Sequence, residues 1–186
     1  MNKIWPRIED QRYKLLPPYL FIALPALISV SLIFIYGVNV PFGDEWGIVD
    51  LYNKIQLNGI HFSYFFAQHN EHRILFPRLI LLSTALLTKW NVISQMLLSQ
   101  LILVIVAVCY CKYFWYKNGK TVTTLWAAVP LMILLFSLRQ NENMFWGFQV
   151  GFIMVLAFSV FSFYSYETYE RTREKKYLFY SGIFAT

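Results

Sequence analysis

Charged residues are scarce in this 186-residue sequence: Asp, Glu, Lys and Arg make up 14% of it, against 58% hydrophobic residues. A soluble domain is about a quarter charged and about half apolar, so an ordinary water-facing surface is excluded. The two cysteines exclude a disulfide-stapled scaffold, and the sequence has no Cys–His spacing of the zinc-finger type. A mean hydropathy of +0.46 excludes a disordered chain.

The positive charge of the chain is distributed as in a membrane protein. The formal net charge is +6, which by itself is compatible with nucleic-acid binding. The lysines and arginines, however, lie at the ends of apolar runs, for example in the segments 112–120 and 171–176. Cytoplasmic loops of membrane proteins are enriched in Lys and Arg in this way. We therefore predict membrane lipids, and no nucleic acid, as partners.

Four uncharged runs come close to the ~20 residues that an α-helix needs to cross a bilayer. These predicted spans are 17–36, 92–111, 123–138 and 148–166, and a fifth apolar run, 177–186, stops with the sequence. We predict an all-α membrane protein, a polytopic helical bundle with four complete spans and a truncated fifth, in a single transmembrane domain over 1–186. Because the last run is too short to span, we expect this chain to be the N-terminal part of a longer protein or a truncated gene product.

The apolar segment 74–88 is short and contains Arg78, which is typical of a helix that lies in the interface rather than across the bilayer. At 100° per residue, Arg78 and Lys89 point within about 20° of each other, so we expect cations on one face and leucines on the other. If this segment does not cross, both basic loops fall on the cytoplasmic side. We therefore predict a multi-pass protein of the cell membrane (plasma or inner membrane) with a cytoplasmic N-terminus. Its outer loops are 37–91, with juxtamembrane helices, and 139–149.

Two adjacent acids, Asp44 and Glu45, open the first outer loop. Neighbouring carboxylates raise one another's pKa, and the nearby bilayer adds desolvation, so one of the two is a candidate general base. The alternative is an ordinary solvated loop in which Trp46 anchors the chain at the interface. The spacing alone leaves both interpretations open.

A dense polar cluster follows in the segment FFAQHNEHRILFPRL. Its candidate substrate- and phosphate-binding residues are Gln68, His69, Asn70, Glu71, His72, Arg73 and Arg78. Guanidinium groups pair bidentately with phosphate oxygens, so we assign phosphate binding to the two arginines. Snorkelling to lipid headgroups is the alternative for Arg78. His69, Glu71 and His72 have a spacing that metal ligands can adopt, but a fourth ligand is not evident and we predict no metal site.

The second outer loop, RQNENMFWGFQ, combines amides and a carboxylate with aromatic residues. Sugar hydroxyls need hydrogen-bond donors and acceptors, and the C–H face of a sugar ring packs on an aromatic plane. We therefore predict that Asn141, Glu142 and Trp146 bind a sugar. Interfacial anchoring is the alternative for Trp146.

The order of these elements resembles the GT-C superfamily of membrane glycosyltransferases, which includes the protein O-mannosyltransferases and the lipid A aminoarabinose transferase. In that family a first span leads into a large outer loop that opens with an acidic pair. The loop then passes through a polar stretch into a juxtamembrane helix and the second span. The counterparts here are Asp44–Glu45, QHNEHRILFPRL, the helix at 74–88 and the span at 92–111. The closest likeness is to uncharacterised bacterial multipass members with a QHNEHR-type stretch.

The resemblance implies transfer of a sugar from a polyprenyl-phosphate donor to a cell-envelope acceptor on the extracytoplasmic side. Asp44 would deprotonate the acceptor hydroxyl, and Arg73 and Arg78 would stabilise the leaving lipid phosphate. Glu45 would orient Asp44 or help to hold a divalent metal ion, which some members of the family require. The polyprenyl tail would lie in the groove beside the helix at 74–88. Because the likeness covers only the N-terminal part of the fold, activity of this portion alone does not follow from it.

Two other functions compete with this interpretation. One is a non-catalytic membrane subunit or scaffold of envelope polysaccharide assembly or transport, in which the acidic pair tolerates substitution. The other is a transporter or flippase. The four predicted spans contain no Asp, Glu, Lys, Arg or His, and this disfavours a coupled transporter, which handles its ion at bilayer depth.

Overall fold

The structure of the protein is a computed structural model that describes residues 8–69 and 73–185. Within these ranges every regular element is helical, which confirms the all-α fold class. The α-helices are α1 (Ile8–Tyr36), α2 (Glu45–Asn58), α3 (Phe62–Phe66), α4 (Leu75–Thr88), α5 (Val92–Asn118), α6 (Val122–Leu135), α7 (Asn141–Phe145), α8 (Val150–Thr172) and α9 (Lys175–Ala185). Short 3-10 turns at Leu138–Gln140 and Gly147–Gln149 flank α7.

Four helical segments in the described part of the chain are long and apolar enough to cross a membrane. They are Lys14–Tyr36, Val92–Asn118, Val122–Phe145 and Gly147–Thr172. The predicted spans fall inside these segments, but the α-helices and the apolar runs have different ends: α1, α5 and α8 extend beyond their runs, whereas α6 stops at Leu135, before the run 123–138 ends. For example, α5 continues past residue 111 and ends where Gly119 adopts a φ of 73°. Polar residues at a helix end keep the backbone hydrogen bonds of the helix, so the end of a hydropathy run does not end the helix.

Helix α5 is the centre of the bundle and contacts α1, α4, α6 and α8. Its buried side chains recur at helical spacing, as in Leu103, Val106, Ala107 and Cys111. A second apolar core joins α2, α4 and α8. The loop helices therefore pack onto the same bundle as the long helices, which brings the first predicted outer loop against α8.

Helix α4 lies on the bundle through an amphipathic face. Arg78, Leu81, Leu82 and Ala85 are buried, whereas Leu87 is 85% exposed. Fourteen residues make a helix of about 21 Å, which is shorter than the ~30 Å hydrocarbon core. The expectation that Arg78 marks a polar, headgroup-facing side is wrong, because this residue is 5% exposed and points into the protein.

The final helix, α9, returns antiparallel along α8. The Ser162 hydroxyl donates to the carbonyl of Ser181 at 2.9 Å, and the ring of Phe184 contacts the rings of Phe158 and Phe161. With 11 residues, α9 is about 17 Å long and too short to cross a bilayer.

One end of the bundle carries most of its cations. Lys117 pairs with Glu167, Arg171 lies 4.6 Å from the ring centroid of Tyr116, and Lys120 lies 5.6 Å from that of Tyr19. These contacts join α1, the end of α5 with the loop that follows it, and the C-terminal part of α8. The two basic loops therefore lie on one side of the bundle. The two acid-containing loops meet at the opposite end, as described next.

Candidate functional site

The two predicted outer loops are held together by hydrogen bonds between residues about a hundred positions apart. Glu45 accepts the Phe42 amide hydrogen at one oxygen and the Phe148 amide hydrogen at the other, both at 2.9 Å. The Trp146 indole N–H donates to the Phe42 carbonyl, also at 2.9 Å. We call these four residues the loop clasp. It connects the loop that follows α1 to the start of α8.

Glu45 is only 2% exposed and forms part of the protein interior. Burial raises the pKa of Glu45 above its ordinary value, and the amides of Phe42, Phe148 and Gly147 partly offset this effect. Within the described residues, a lysine or arginine partner is not found within ion-pair distance of its carboxylate. The backbone amides therefore stabilise its carboxylate, and Glu45 has a structural role as a hydrogen-bond acceptor.

Two glycines make the clasp possible by leaving room for it. A Cβ at Gly147 would lie 2.8 Å from a carboxylate oxygen of Glu45 and 2.7 Å from the side-chain oxygen of Gln95. At Gly43, φ is +55° and a Cβ would lie 2.9 Å from the Trp146 ring, so both conformation and space favour glycine.

Asp44, next in sequence to Glu45, has the opposite environment. Its side chain is 47% exposed, and one carboxylate oxygen lies 3.8 Å from Nε2 of His69. The His69 ring packs on Phe148, with ring centroids 5.2 Å apart. The clasp residue Phe148 thus supports the imidazole that faces Asp44.

An apolar cavity of about 460 Å³ opens beside this pair, between the start of α4 and α8. Asp44, His69 and Arg73 are its polar lining residues. The remaining lining residues are Ile74, Phe76, Pro77, Phe148, Gly151, Phe152, Met154, Val155 and Phe158. An acid, an imidazole and a guanidinium on a largely apolar cavity suit an amphiphilic ligand with a polar, anionic head.

Arg78 lies apart from this cavity lining, in the protein interior. Its Nη1 donates to the carbonyls of Tyr64, Phe65 and Ala67 at 3.1, 3.0 and 2.6 Å. These bonds satisfy backbone carbonyls at the C-terminal end of the short helix α3 and anchor that helix to α4. The structure thus separates the two predicted phosphate-binding arginines, and Arg73 alone faces the cavity.

The other predicted site residues divide into three groups. Asn70, Glu71 and His72 lie outside the described residues. Gln68 is exposed just before His69, and Asn141 and Glu142 are exposed on α7, away from the cavity lining. Trp146 belongs to the clasp and stacks on Phe148 at a centroid distance of 5.9 Å. The described residues contain no group of three or more His, Cys, Asp or Glu side chains that could bind a metal ion.

Sequence reasoning missed Phe42, Phe148 and Gly151. Phe148 falls within the predicted span 148–166. In the structure its amide belongs to the clasp, its ring packs on His69, and it lines the cavity. The aromatic run FWGF at 145–148 was the signal available for it. Gly151 lets α8 approach α4 closely, since a Cβ there would lie 3.3 Å from Pro77.

Comparison of the chain with protein families, curated proteins and solved structures finds no match.

Proposed function

We propose that this chain is part of a membrane glycosyltransferase that transfers a sugar from a polyprenyl-phosphate donor to a hydroxyl of a cell-envelope acceptor. The proposal combines the sequence resemblance to the GT-C superfamily with one structural observation. Asp44, His69 and Arg73 line the same apolar cavity. A polyprenyl-phosphate sugar has a matching distribution of chemistry, with an apolar tail, an anionic phosphate and a polar sugar.

In the proposed reaction, Asp44 is the general base. Its carboxylate takes the proton of the acceptor hydroxyl while the hydroxyl oxygen forms a bond to the anomeric carbon of the sugar. The bond from that carbon to the phosphate oxygen breaks, and its electron pair leaves with the lipid phosphate. The single displacement inverts the anomeric configuration. Arg73 stabilises the charge that develops on the phosphate.

The first test of the proposal is binding of the lipid product. Arg73→Gln in the full chain in nanodiscs should weaken binding of decaprenyl phosphate about tenfold, because a charge-assisted hydrogen bond to a phosphate oxygen is lost. Native mass spectrometry or a radiolabelled-lipid binding assay measures the dissociation constant.

Arg139→Gln is the matched control, because Arg139 is an exposed arginine of the second outer loop and is not part of the cavity lining. It should bind decaprenyl phosphate as the wild type does. Equal affinity in wild type and Arg73→Gln, or equal weakening in both variants, contradicts a phosphate role for Arg73.

We further propose that the N-terminus is cytoplasmic and that the chain lies in the cell membrane. The clustering of both basic loops at one end of the bundle supports this orientation. In a background with Cys109→Ser and Cys111→Ala, Asn141→Cys should react in intact cells with a membrane-impermeant maleimide, whereas Asn118→Cys should not. Asn118 and Asn141 are both exposed. The cysteines introduced at these two positions should therefore both react after the membrane is permeabilised. The reverse pattern in intact cells would show the opposite orientation.

A further inference from the structure

The imidazole of His69 has a polar atom without a partner in the described part of the chain. Its Nε2 is buried and makes no hydrogen bond with the described residues, although the side chain as a whole is 18% exposed. A buried polar atom in this state costs free energy unless a ligand or solvent satisfies it. His69 lines the cavity, so such a partner would come from the cavity side.

The position of the imidazole ring is set by its neighbours. Phe148 packs against it at a centroid distance of 5.2 Å. On another side lies Gly47, where a Cβ would be 3.3 Å from Cε1 of the ring. The bare backbone of Gly47 thus gives the ring its space. These contacts orient Nε2 toward Asp44.

The spacing of the two groups allows one oxygen atom to bridge them. Nε2 lies 3.8 Å from the Asp44 carboxylate oxygen, which is too long for a direct hydrogen bond. An oxygen placed about 2.8 Å from both atoms makes two hydrogen bonds of ordinary length. Among the described lining residues, Arg73 is the other charged group. Its guanidinium carries only donors, so it suits the phosphate rather than this gap.

We infer that His69 and Asp44 together hold the acceptor hydroxyl, an inference that rests on the proposed function. Nε2–H donates to the hydroxyl oxygen, and the hydroxyl donates its proton to Asp44. When the oxygen bonds to the anomeric carbon, that proton stays on Asp44 and the phosphate leaves with the electron pair. His69 keeps its own proton throughout and acts by holding the nucleophile in line.

Three substitutions of His69, by glutamine, asparagine and alanine, test the role of the Nε2 hydrogen. The glutamine amide nitrogen is as many bonds from Cα as Nε2 of histidine, whereas the asparagine amide nitrogen is one bond closer. His69→Gln should keep transfer within about threefold of the wild type. His69→Asn and His69→Ala should lower it about tenfold or more, through loss of one hydrogen bond to the substrate and poorer positioning.

The assay uses the full chain in nanodiscs, decaprenyl-phosphate-linked radioactive mannose, glucose or galactose as donor, and an envelope extract as the source of acceptor. His61→Gln is the control, because His61 is exposed and its ring nitrogen already contacts the Asn58 carbonyl at 3.0 Å. It should transfer sugar at the wild-type rate. Binding of decaprenyl phosphate should be unchanged in every His69 variant, since this residue holds the acceptor and not the phosphate.

The outcomes separate this inference from the proposed function. If Asp44→Asn abolishes transfer but His69→Ala retains the wild-type rate, or if His69→Gln is as slow as His69→Asn, the role of His69 is overturned and the function stands. If the wild-type chain transfers none of the sugars and does not bind decaprenyl phosphate, both fall. Loss of transfer in His69→Asn with rescue in His69→Gln supports both.

Discussion

Asp44→Asn should lower sugar transfer at least about a hundredfold, which is the usual contribution of a general base. The asparagine amide keeps the size of the side chain but does not accept the proton of the acceptor hydroxyl. The side chain is 47% exposed, so we expect correct folding and membrane insertion. The measurement is the initial rate of transfer from a decaprenyl-phosphate-linked radioactive sugar to an envelope extract, together with the thermal unfolding midpoint of the variant.

Asp50→Asn is the control for this experiment. Asp50 is an exposed acid of α2 that pairs with Lys54 at 2.7 Å, and its loss should leave the transfer rate unchanged, because exposed ion pairs contribute little. A fully active Asp44→Asn protein, correctly inserted, contradicts the general-base role. That result favours a non-catalytic subunit of envelope polysaccharide assembly, in which the acidic pair tolerates substitution.

Glu45→Ala should lower the free energy of unfolding by about 2–4 kcal/mol, because it leaves the Phe42 and Phe148 amides without their acceptor. The loss affects both the segment at Phe42 and the segment at Phe148, since the carboxylate connects them. Thermal unfolding of the protein in nanodiscs, followed by tryptophan fluorescence, measures the effect. Glu142→Ala removes an exposed acid of the second loop and should change the midpoint little.

The pH dependence of the free energy of unfolding distinguishes the ionisation of Glu45 from the packing of its side chain. Since burial raises the pKa of Glu45 above its ordinary value near 4.5, the folded state binds this proton more tightly than the unfolded chain. The contribution to stability is then largest below the ordinary pKa and decreases as the pH rises through the raised value. Glu45→Gln, which does not titrate, should lack this component. A stability difference between wild type and Glu45→Gln that is constant from pH 4 to pH 8 contradicts the assignment.

Much of the helical architecture follows from the sequence. The uncharged runs predicted four segments of membrane-spanning character, and four such segments are present among the described helices. The short run at 74–88 predicted a separate helix, observed as Leu75–Thr88. These features depend on local hydropathy and helix length, which a linear sequence contains. The helix ends differ from the predicted limits because hydrogen bonding, not hydropathy, decides where a helix stops.

The environment of each site residue depends on contacts between segments that are distant in the sequence, and these contacts cannot be read from local sequence patterns. Asp44 and Glu45 are adjacent and chemically alike, yet one is exposed beside His69 and the other is buried under two backbone amides. Likewise Arg73 and Arg78 have the same charge, but one lines the cavity and the other binds backbone carbonyls.

What the sequence by itself determined is the class of the protein: a helical chain, poor in charge, with apolar segments of bilayer length and with polar residues concentrated between them. What only the tertiary structure decided is which of these polar residues line the cavity and which are buried among backbone groups. The physical reason is that burial and partners, rather than residue type, set the protonation and hydrogen bonding of a side chain. For Glu45, one partner is the Phe148 amide, 103 positions away, which reaches the carboxylate because α8 packs against α4 and α5.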